Sequence, residues 1–189
     1  MNRLKILSII LLTFLLNANS IAQIKLPKLI SDGMVLQRDV KVPVWGWASA
    51  NEKIVVSFNG KKYKTKATAN GTWRIELRKT KAGGPYNMTI SGKNTVEVKD
   101  ILIGDVWFYN GESNMVHQLD IHDVLYEEEI ATANNPKIRH YKVPTATSVF
   151  GPKDHLEGGE WIKAVGEEIR PFSAVSYFFA KKIYEKYQI

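Results

Sequence analysis

The fold class of this chain follows from one stretch, Gly104-Asp105-Val106-Trp107-Phe108-Tyr109-Asn110-Gly111-Glu112-Ser113-Asn114-Met115. The apolar run at residues 106–109 predicts a short buried strand. The turn pair Asn110-Gly111 ends that strand, and a helix is predicted to begin at Ser113. A strand, a turn and a helix in this order are expected where an open α/β sheet binds its ligands.

Ser113 has two interpretations at such a turn. A serine at the carboxyl end of a strand is exposed to a ligand, and the first N–H groups of the helix can stabilise a developing oxyanion beside it. Such a serine can act as a nucleophile. It can also be a helix N-cap, because its hydroxyl accepts a hydrogen bond from a free N–H group of the helix start. Spacing alone favours the cap.

Several motifs together resemble the sialate O-acetylesterase family, which consists of serine esterases with a hydrolase domain of the SGNH type. The family's nucleophile block usually has G-D-V-W followed by G-Q-S-N-M, and this chain has Gly104-Asp105-Val106-Trp107 followed by Gly111-Glu112-Ser113-Asn114-Met115. The resemblance covers nearly the whole chain after residue 22. Its other segments are Leu26-Pro27, Ser31-Asp32-Gly33-Met34-Val35-Leu36-Gln37-Arg38, Val44-Trp45-Gly46-Trp47-Ala48, Asn134-Asn135-Pro136-Lys137-Ile138-Arg139 and Phe172-Ser173-Ala174-Val175-Ser176-Tyr177-Phe178-Phe179-Ala180.

The resemblance implies that Ser113 is the catalytic nucleophile, which attacks an acetyl carbonyl and forms an acetyl-enzyme that water hydrolyses. It also implies a histidine base, which the SGNH type supplies in an Asp-x-x-His motif. This sequence contains no Asp-x-x-His. Glu112 stands where the family usually has Gln, and a carboxylate beside the nucleophile disfavours a second developing negative charge.

Residues 23–100 are predicted to form an all-β domain of about seven strands, a β-sandwich or, as the alternative, an open barrel. Short alternating apolar runs are separated by tight turns, among which Asn59-Gly60 is the strongest hairpin signal. Trp45, Trp47 and Trp73 are assigned to the core rather than to sugar stacking, because Trp73 shares its alternation with the apolar residues that follow it.

Residues 101–189 are predicted to form the N-terminal part of an SGNH-type, flavodoxin-like α/β domain, so that the chain as a whole is α+β and multidomain. A helix is expected at residues 125–133 with a solvated face of Glu127, Glu128 and Glu129, and a parallel strand at 138–143. A long polar loop follows at 145–159. The last helix, opened by Pro171, is expected to bury the stripe Phe172, Val175, Phe179 and Ile183.

The candidate catalytic set contains Ser113 alone. His117 follows one helical turn after Ser113, where it is poorly placed to act as a base. His122, His140 and His155 are interpreted as surface or packing residues. No residues have the spacing of metal ligands, and neither a metal nor a cofactor is expected.

Residues 1–22 are predicted to be a secretory signal peptide, with Arg3 and Lys5 before an apolar region that is too short to span a membrane. The protein is therefore expected to be secreted or periplasmic, with no membrane anchor after cleavage. The chain has no cysteine, and its formal net charge of +7 includes the leader's two cations. The basic run at residues 61–66 is predicted to be the solvated face of a strand rather than a nucleic-acid site.

Two functional hypotheses follow. The first is an esterase that removes O-acetyl groups from sialic acid or a related glycan, and is complete only with a downstream segment or a partner chain that carries the histidine. The second is a noncatalytic carbohydrate-binding or structural β-module with a vestigial esterase segment. The expected partner is an O-acetylated glycan, and the sequence makes no prediction of oligomeric state.

Overall fold

The computed structural model describes residues 23–149, 151–153 and 155–189, so the predicted signal peptide at 1–22 lies outside the described residues. None of the described helices is long and apolar enough to cross a bilayer. The strands are β1 Val35–Gln37, β2 Val42–Trp47, β3 Lys53–Phe58, β4 Lys61–Lys66, β5 Thr72–Leu77, β6 Gly83–Ser91, β7 Thr95–Gly104, β8 Asn134–Tyr141 and β9 Trp161–Val165. The α-helices are α1 Ser113–Val116, α2 Asp123–Thr132 and α3 Ala174–Tyr187, with 3-10 turns at Leu119–His122 and Gly166–Ile169.

The first seven strands form two sheets around one apolar core. The larger sheet has the order β1-β7-β6-β3-β4, and the smaller pairs β2 with β5. Both sheets contribute to the same core, with Val44 and Ile75 from the small sheet and Ile54, Met88 and Ile101 from the large one. The predicted α+β class is confirmed by these sheets and the three helices. The description of residues 23–100 as a sandwich domain stays a prediction.

The β3–β4 hairpin forms at the predicted turn. Asn59 and Gly60 have φ angles of 45° and 71°, and Phe58 pairs with Lys61 across them. Positive φ at both central residues is the turn that matches the twist of the flanking strands, which is why Asn-Gly predicts it. The lysines of β4 are exposed at the edge of the sheet, as predicted for a solvated face.

The three tryptophans of the first core differ in depth. Trp73 is 3% exposed, and Trp45 packs against the same core, which confirms the assignment of these two. Trp47 is half-buried, and its ring lies edge-on to His155 of the long loop with 5.1 Å between centroids.

A second core lies between α2, α3 and the β8–β9 pair, and two strand predictions fail there. Strand β8 pairs with β9 in antiparallel register, not in parallel with residues 106–109. Those residues form no strand, and Trp107 and Phe108 are 54% and 85% exposed. An apolar run becomes a strand only where a neighbour pairs with its main chain, and within the described residues none lies alongside.

The buried face of α3 is rotated from the predicted stripe. The helix begins at Ala174 behind the N-cap Ser173, whose hydroxyl accepts from Ser176 N–H. Phe172 therefore precedes the helical periodicity, although it is buried. Tyr177 is buried on the helix, whereas Val175 is 49% exposed.

Glu129 is not part of a solvated face. Its carboxylate accepts hydrogen bonds of 2.6 and 2.7 Å from Lys181 Nζ and one from the Tyr177 hydroxyl. It therefore joins α2 to α3. Glu127 and Glu128 are exposed as predicted.

The two cores are joined by an ion pair at a bulge in β7. Between the pairs Met88–Val98 and Tyr86–Ile101, β7 has one more residue than β6, and Asp100 in this bulge has a φ of 56°. Arg139 of β8, whose side chain is 3% exposed, donates to both Asp100 carboxylate oxygens at 2.9 and 3.1 Å. These hydrogen bonds hold the pKa of the Asp100 carboxyl below its usual value, and Lys163 adds a contact of 2.9 Å.

We expect Asp100→Asn to lower the free energy of unfolding by about 2–3 kcal/mol, because it leaves the Arg139 guanidinium buried without its anion. Asparagine tolerates the same positive φ, so the backbone is not the cause. Asp39→Asn is the matched control, since Asp39 also has a positive φ of 60° and its side chain is 55% exposed. Urea unfolding at pH 7 measures both, and equal small effects would contradict the prediction.

The same pair predicts an acid dependence. A carboxyl whose pKa is depressed in the folded state contributes stability that is complete above its unfolded pKa of about 3.9. That contribution is lost as the pH falls through the lower folded pKa. The difference between the parent and Asp100→Asn is therefore expected to shrink below about pH 4, and a difference that stays constant to pH 2 would contradict this.

Candidate functional site

A cleft with a volume of about 720 Å³ lies beside the Ser113 motif. It lies where β7 ends, and it is bordered by the segment of residues 105–112, by β8 and by α3. Its lining includes Gly104, Asp105, Val106, Trp107, Tyr109, Gly111, Met115, Gln118, Arg139, His140 and Ser173.

The 105–112 segment is held at its start by two residues of the Ser31–Arg38 motif. Arg38 donates from Nε and Nη2 to the Asp105 carboxylate at 2.8 and 3.3 Å. These hydrogen bonds hold the pKa of the Asp105 carboxyl below its usual value. The side-chain oxygen of Gln37 accepts from Val106 N–H at 2.8 Å. Neither contact was predicted, and the only sequence signal was that both partners belong to motifs of the family resemblance.

The middle of the segment packs on α3. Trp107 and Tyr109 both contact the Phe179 ring edge-on, with centroid distances of 5.2 and 5.5 Å. Burial raises the pKa of the Tyr109 hydroxyl to about 12, and that oxygen has no hydrogen-bond partner among the described residues. The predicted strand is thus replaced by an irregular segment that aromatic contacts hold against the helix.

Ser113 is exposed and is the first residue of α1. Glu112, not Ser113, occupies the N-cap position, and its side chain makes no capping bond. The interpretation of Ser113 as the N-cap of this helix is therefore wrong. Gly111 and Met115 line the cleft, but Ser113 is not among its lining residues.

The chain after Ser113 is tied to the start of α3 by main-chain bonds. His117 O accepts from Ala174 N–H at 2.8 Å, and Leu119 N–H donates to Phe172 O at 3.1 Å. Gln118 adds a side-chain bond to Pro171 O at 2.9 Å. The short helix that carries Ser113 is consequently fixed at its far end by the second core.

The histidines are dispersed around this site. The His117 and His122 rings contact each other at a centroid distance of 4.8 Å, and His155 lies on Trp47. His140 lines the cleft, and its ring packs on Phe172 with 4.5 Å between the ring centroids. Its Nδ1 is buried without a hydrogen-bond partner among the described residues. In that part of the chain, no histidine makes a hydrogen bond to Ser113. Among the same residues, no three His, Asp or Glu side chains converge as metal ligands.

His140 is expected to be neutral at pH 7, because burial, with a smaller contribution from Lys142, lowers its pKa to about 4. Between the unfolded pKa of about 6.5 and this value, the unfolded chain binds more protons, so stability falls as the pH falls. His140→Gln is expected to remove part of that fall. Urea unfolding at pH 7.0, 5.5 and 4.5 measures it, and an NMR titration of the His140 ring with a midpoint near 6.5 would contradict it.

Comparisons with known proteins test the family resemblance that these motifs predict. No family model matches the chain. The sialate O-acetylesterases of Pongo abelii and Homo sapiens are each 26% identical to it over 179 residues, which cover 84% of this chain and 34% of each relative. The crystal structure of a carbohydrate acetylesterase from Xanthomonas citri matches with a TM-score of 0.84 and 41% identity, over 88% of this chain and 38% of that chain.

This chain thus spans about a third of the length of the relatives that it matches. The matches nevertheless extend over most of its own residues, through both cores. The resemblance inferred from the motifs is confirmed, and the chain is a homologue of the sialate O-acetylesterases.

Proposed function

We propose that this chain carries the nucleophile-bearing part of a secreted carbohydrate O-acetylesterase. The observation that carries the proposal is the similarity, over 88% of this chain, to a protein described as a carbohydrate acetylesterase, at 41% identity and a TM-score of 0.84. The predicted signal peptide at residues 1–22 supports secretion. The substrate class proposed is an O-acetylated glycan, with sialic acid as the named example because of the sialate O-acetylesterases.

The proposed reaction is acyl transfer through Ser113. Its hydroxyl oxygen attacks the acetyl carbonyl carbon, the bond from that carbon to the sugar oxygen breaks, and the sugar leaves as an alcohol. Water then cleaves the acetyl-enzyme to acetate and restores the hydroxyl. The exposure of Ser113 supports this role, because an acetyl group on a glycan can reach it without opening the fold.

We place the general base outside this sequence. A serine hydroxyl is a weak nucleophile until a base accepts its proton, and no histidine of the described residues hydrogen-bonds to Ser113. The Asp-x-x-His motif that SGNH esterases use is absent from the sequence. The base is therefore assigned to polypeptide beyond these residues, either in a longer chain or in a partner.

We expect a fluorophosphonate probe to label Ser113 only when the rest of the hydrolase domain is supplied. A chimera joins this chain to the part of the Xanthomonas enzyme that it does not match, and intact mass reports labelling. Ser113→Ala is expected to abolish labelling and to reduce acetate release from an acetylated sugar by about 10³-fold or more. Ser148→Ala, at an exposed serine of the long loop, is expected to change neither.

Two outcomes would contradict this account. A folded chimera that is neither labelled nor active would remove the esterase proposal and favour the noncatalytic β-module. Labelling of Ser113 in the chain by itself would place the base within these residues, and His117 would then be the first histidine to replace.

A further inference from the structure

We infer that Gln37 and Arg38 are positioning residues for Ser113, acting through the start of the 105–112 segment. The inference deepens the proposed function and rests on it. Neither residue is near Ser113 in the sequence. Their contacts with the segment join positions that are 67 and 69 residues apart. They act on the main chain that leads to the nucleophile, not on the substrate.

The contacts occur at the point where regular pairing stops. Strand β1 pairs in parallel with β7 up to Gln37–Gly104, and Arg38 N–H donates to Gly104 O at 2.8 Å. Beyond Gly104 the chain leaves the sheet and has no strand beside it among the described residues. There the Gln37 side chain takes the place of the next main-chain acceptor, because its oxygen receives Val106 N–H at 2.8 Å.

Each of the two side chains is held by more than one hydrogen bond. Arg38 donates from Nε and Nη2 to the Asp105 carboxylate, and also from Nη1 to Asp39 at 3.0 Å. Gln37 accepts at one end, while its Nε2 lies 3.4 Å from both Arg38 O and Asp105 Oδ1. A lysine cannot reproduce a two-point contact with a carboxylate, and a methionine offers no oxygen to Val106 N–H. Methionine keeps the length of the glutamine side chain, and lysine is one atom shorter than arginine but keeps its charge.

The position of the first residues after Gly104 affects Ser113 because the segment is restrained elsewhere too. Phe179 holds its middle through Trp107 and Tyr109, and the bonds from residues 117–119 to the start of α3 hold the chain after Ser113. The start is thus anchored on the first core and the end on the second. Releasing the start lets the segment shift against its fixed end, and a misplacement of about 1 Å costs on the order of 10² in rate.

Their contribution to global stability is expected to be small. Arg38 and Asp105 are 33% and 22% exposed, so Arg38 is far less buried than Arg139, and Arg38→Lys keeps a cation beside the carboxylate. The β1–β7 ladder and the apolar core remain in a variant that lacks these side-chain contacts. A loss of activity in a variant that melts normally would therefore report positioning.

The test uses Gln37→Met and Arg38→Lys in the chimera described above, with Arg74→Lys and Arg78→Lys as exposed controls. Each positioning variant is expected to lower kcat and the rate of Ser113 labelling about 10- to 100-fold, with KM and the melting temperature little changed. The double variant is expected to be only slightly slower than the single ones, since both contacts hold the same point. The controls are expected to match the parent.

Amide hydrogen exchange in the chain itself, expressed with its own leader, provides a readout independent of activity. Gln37→Met is expected to reduce protection of Val106 N–H about 10-fold, because the amide loses its acceptor, and to leave Ile103 of β7 unchanged. Unaltered protection of Val106 would overturn the inference, as would unaltered kcat in a labelled chimera. An unlabelled parent chimera would overturn the proposed function and the positioning role with it, whereas a labelled parent with equally fast variants would overturn the positioning role alone.

Discussion

Asp100 binds Arg139 at a bulge in the middle of β7, and this ion pair joins the first core to the second. The bulge places Asp100 at positive φ. Two main-chain N–H groups of the bulge donate to side chains: Lys99 N–H to Asp32 at 2.7 Å and Asp100 N–H to Asn87 at 3.3 Å. A bulge re-aims one side chain without ending the strand. Here it turns a carboxylate toward a guanidinium that is 3% exposed.

The same strand leads directly to the candidate site. Four residues after the bulge β7 ends at Gly104, and the next two residues are bound by Arg38 and Gln37. Gly33 shows how closely the parts fit, since its φ is +79° and a Cβ there would lie 3.2 Å from Arg139 Nη1. The Ser31–Arg38 motif therefore touches both the joint between the cores and the start of the 105–112 segment. Its resemblance to a family motif has a structural meaning that the sequence did not reveal.

The cleft itself explains why sequence patterns failed near it. The run at 106–109 has the composition of a buried strand, but composition does not supply the neighbouring strand that its main chain needs. The stripe predicted on α3 starts at Phe172, whereas the helix starts at Ala174, so the predicted stripe does not coincide with the buried face of the helix. The sequence predicts an exposed Glu129 like its neighbours, because it does not show that Lys181 packs opposite it. Only the Glu129 error comes from a contact with a distant segment. The other two come from a missing strand partner and from the position of the helix start.

The sequence by itself determined what depends on near neighbours. Alternation and turn residues predicted the hairpin at Asn59-Gly60, the solvent-exposed face of β4 and the burial of Trp73. Each of these features depends on residues that are close together in the sequence. The motif around Ser113 identified the homologues. Only the tertiary structure decided that Glu112 holds the N-cap position, that Arg139 reaches Asp100 across 39 positions, and that Gln37 and Arg38 hold the chain that leads to Ser113. Such contacts depend on how distant strands are placed in three dimensions, and periodicity along the chain carries no information about that placement.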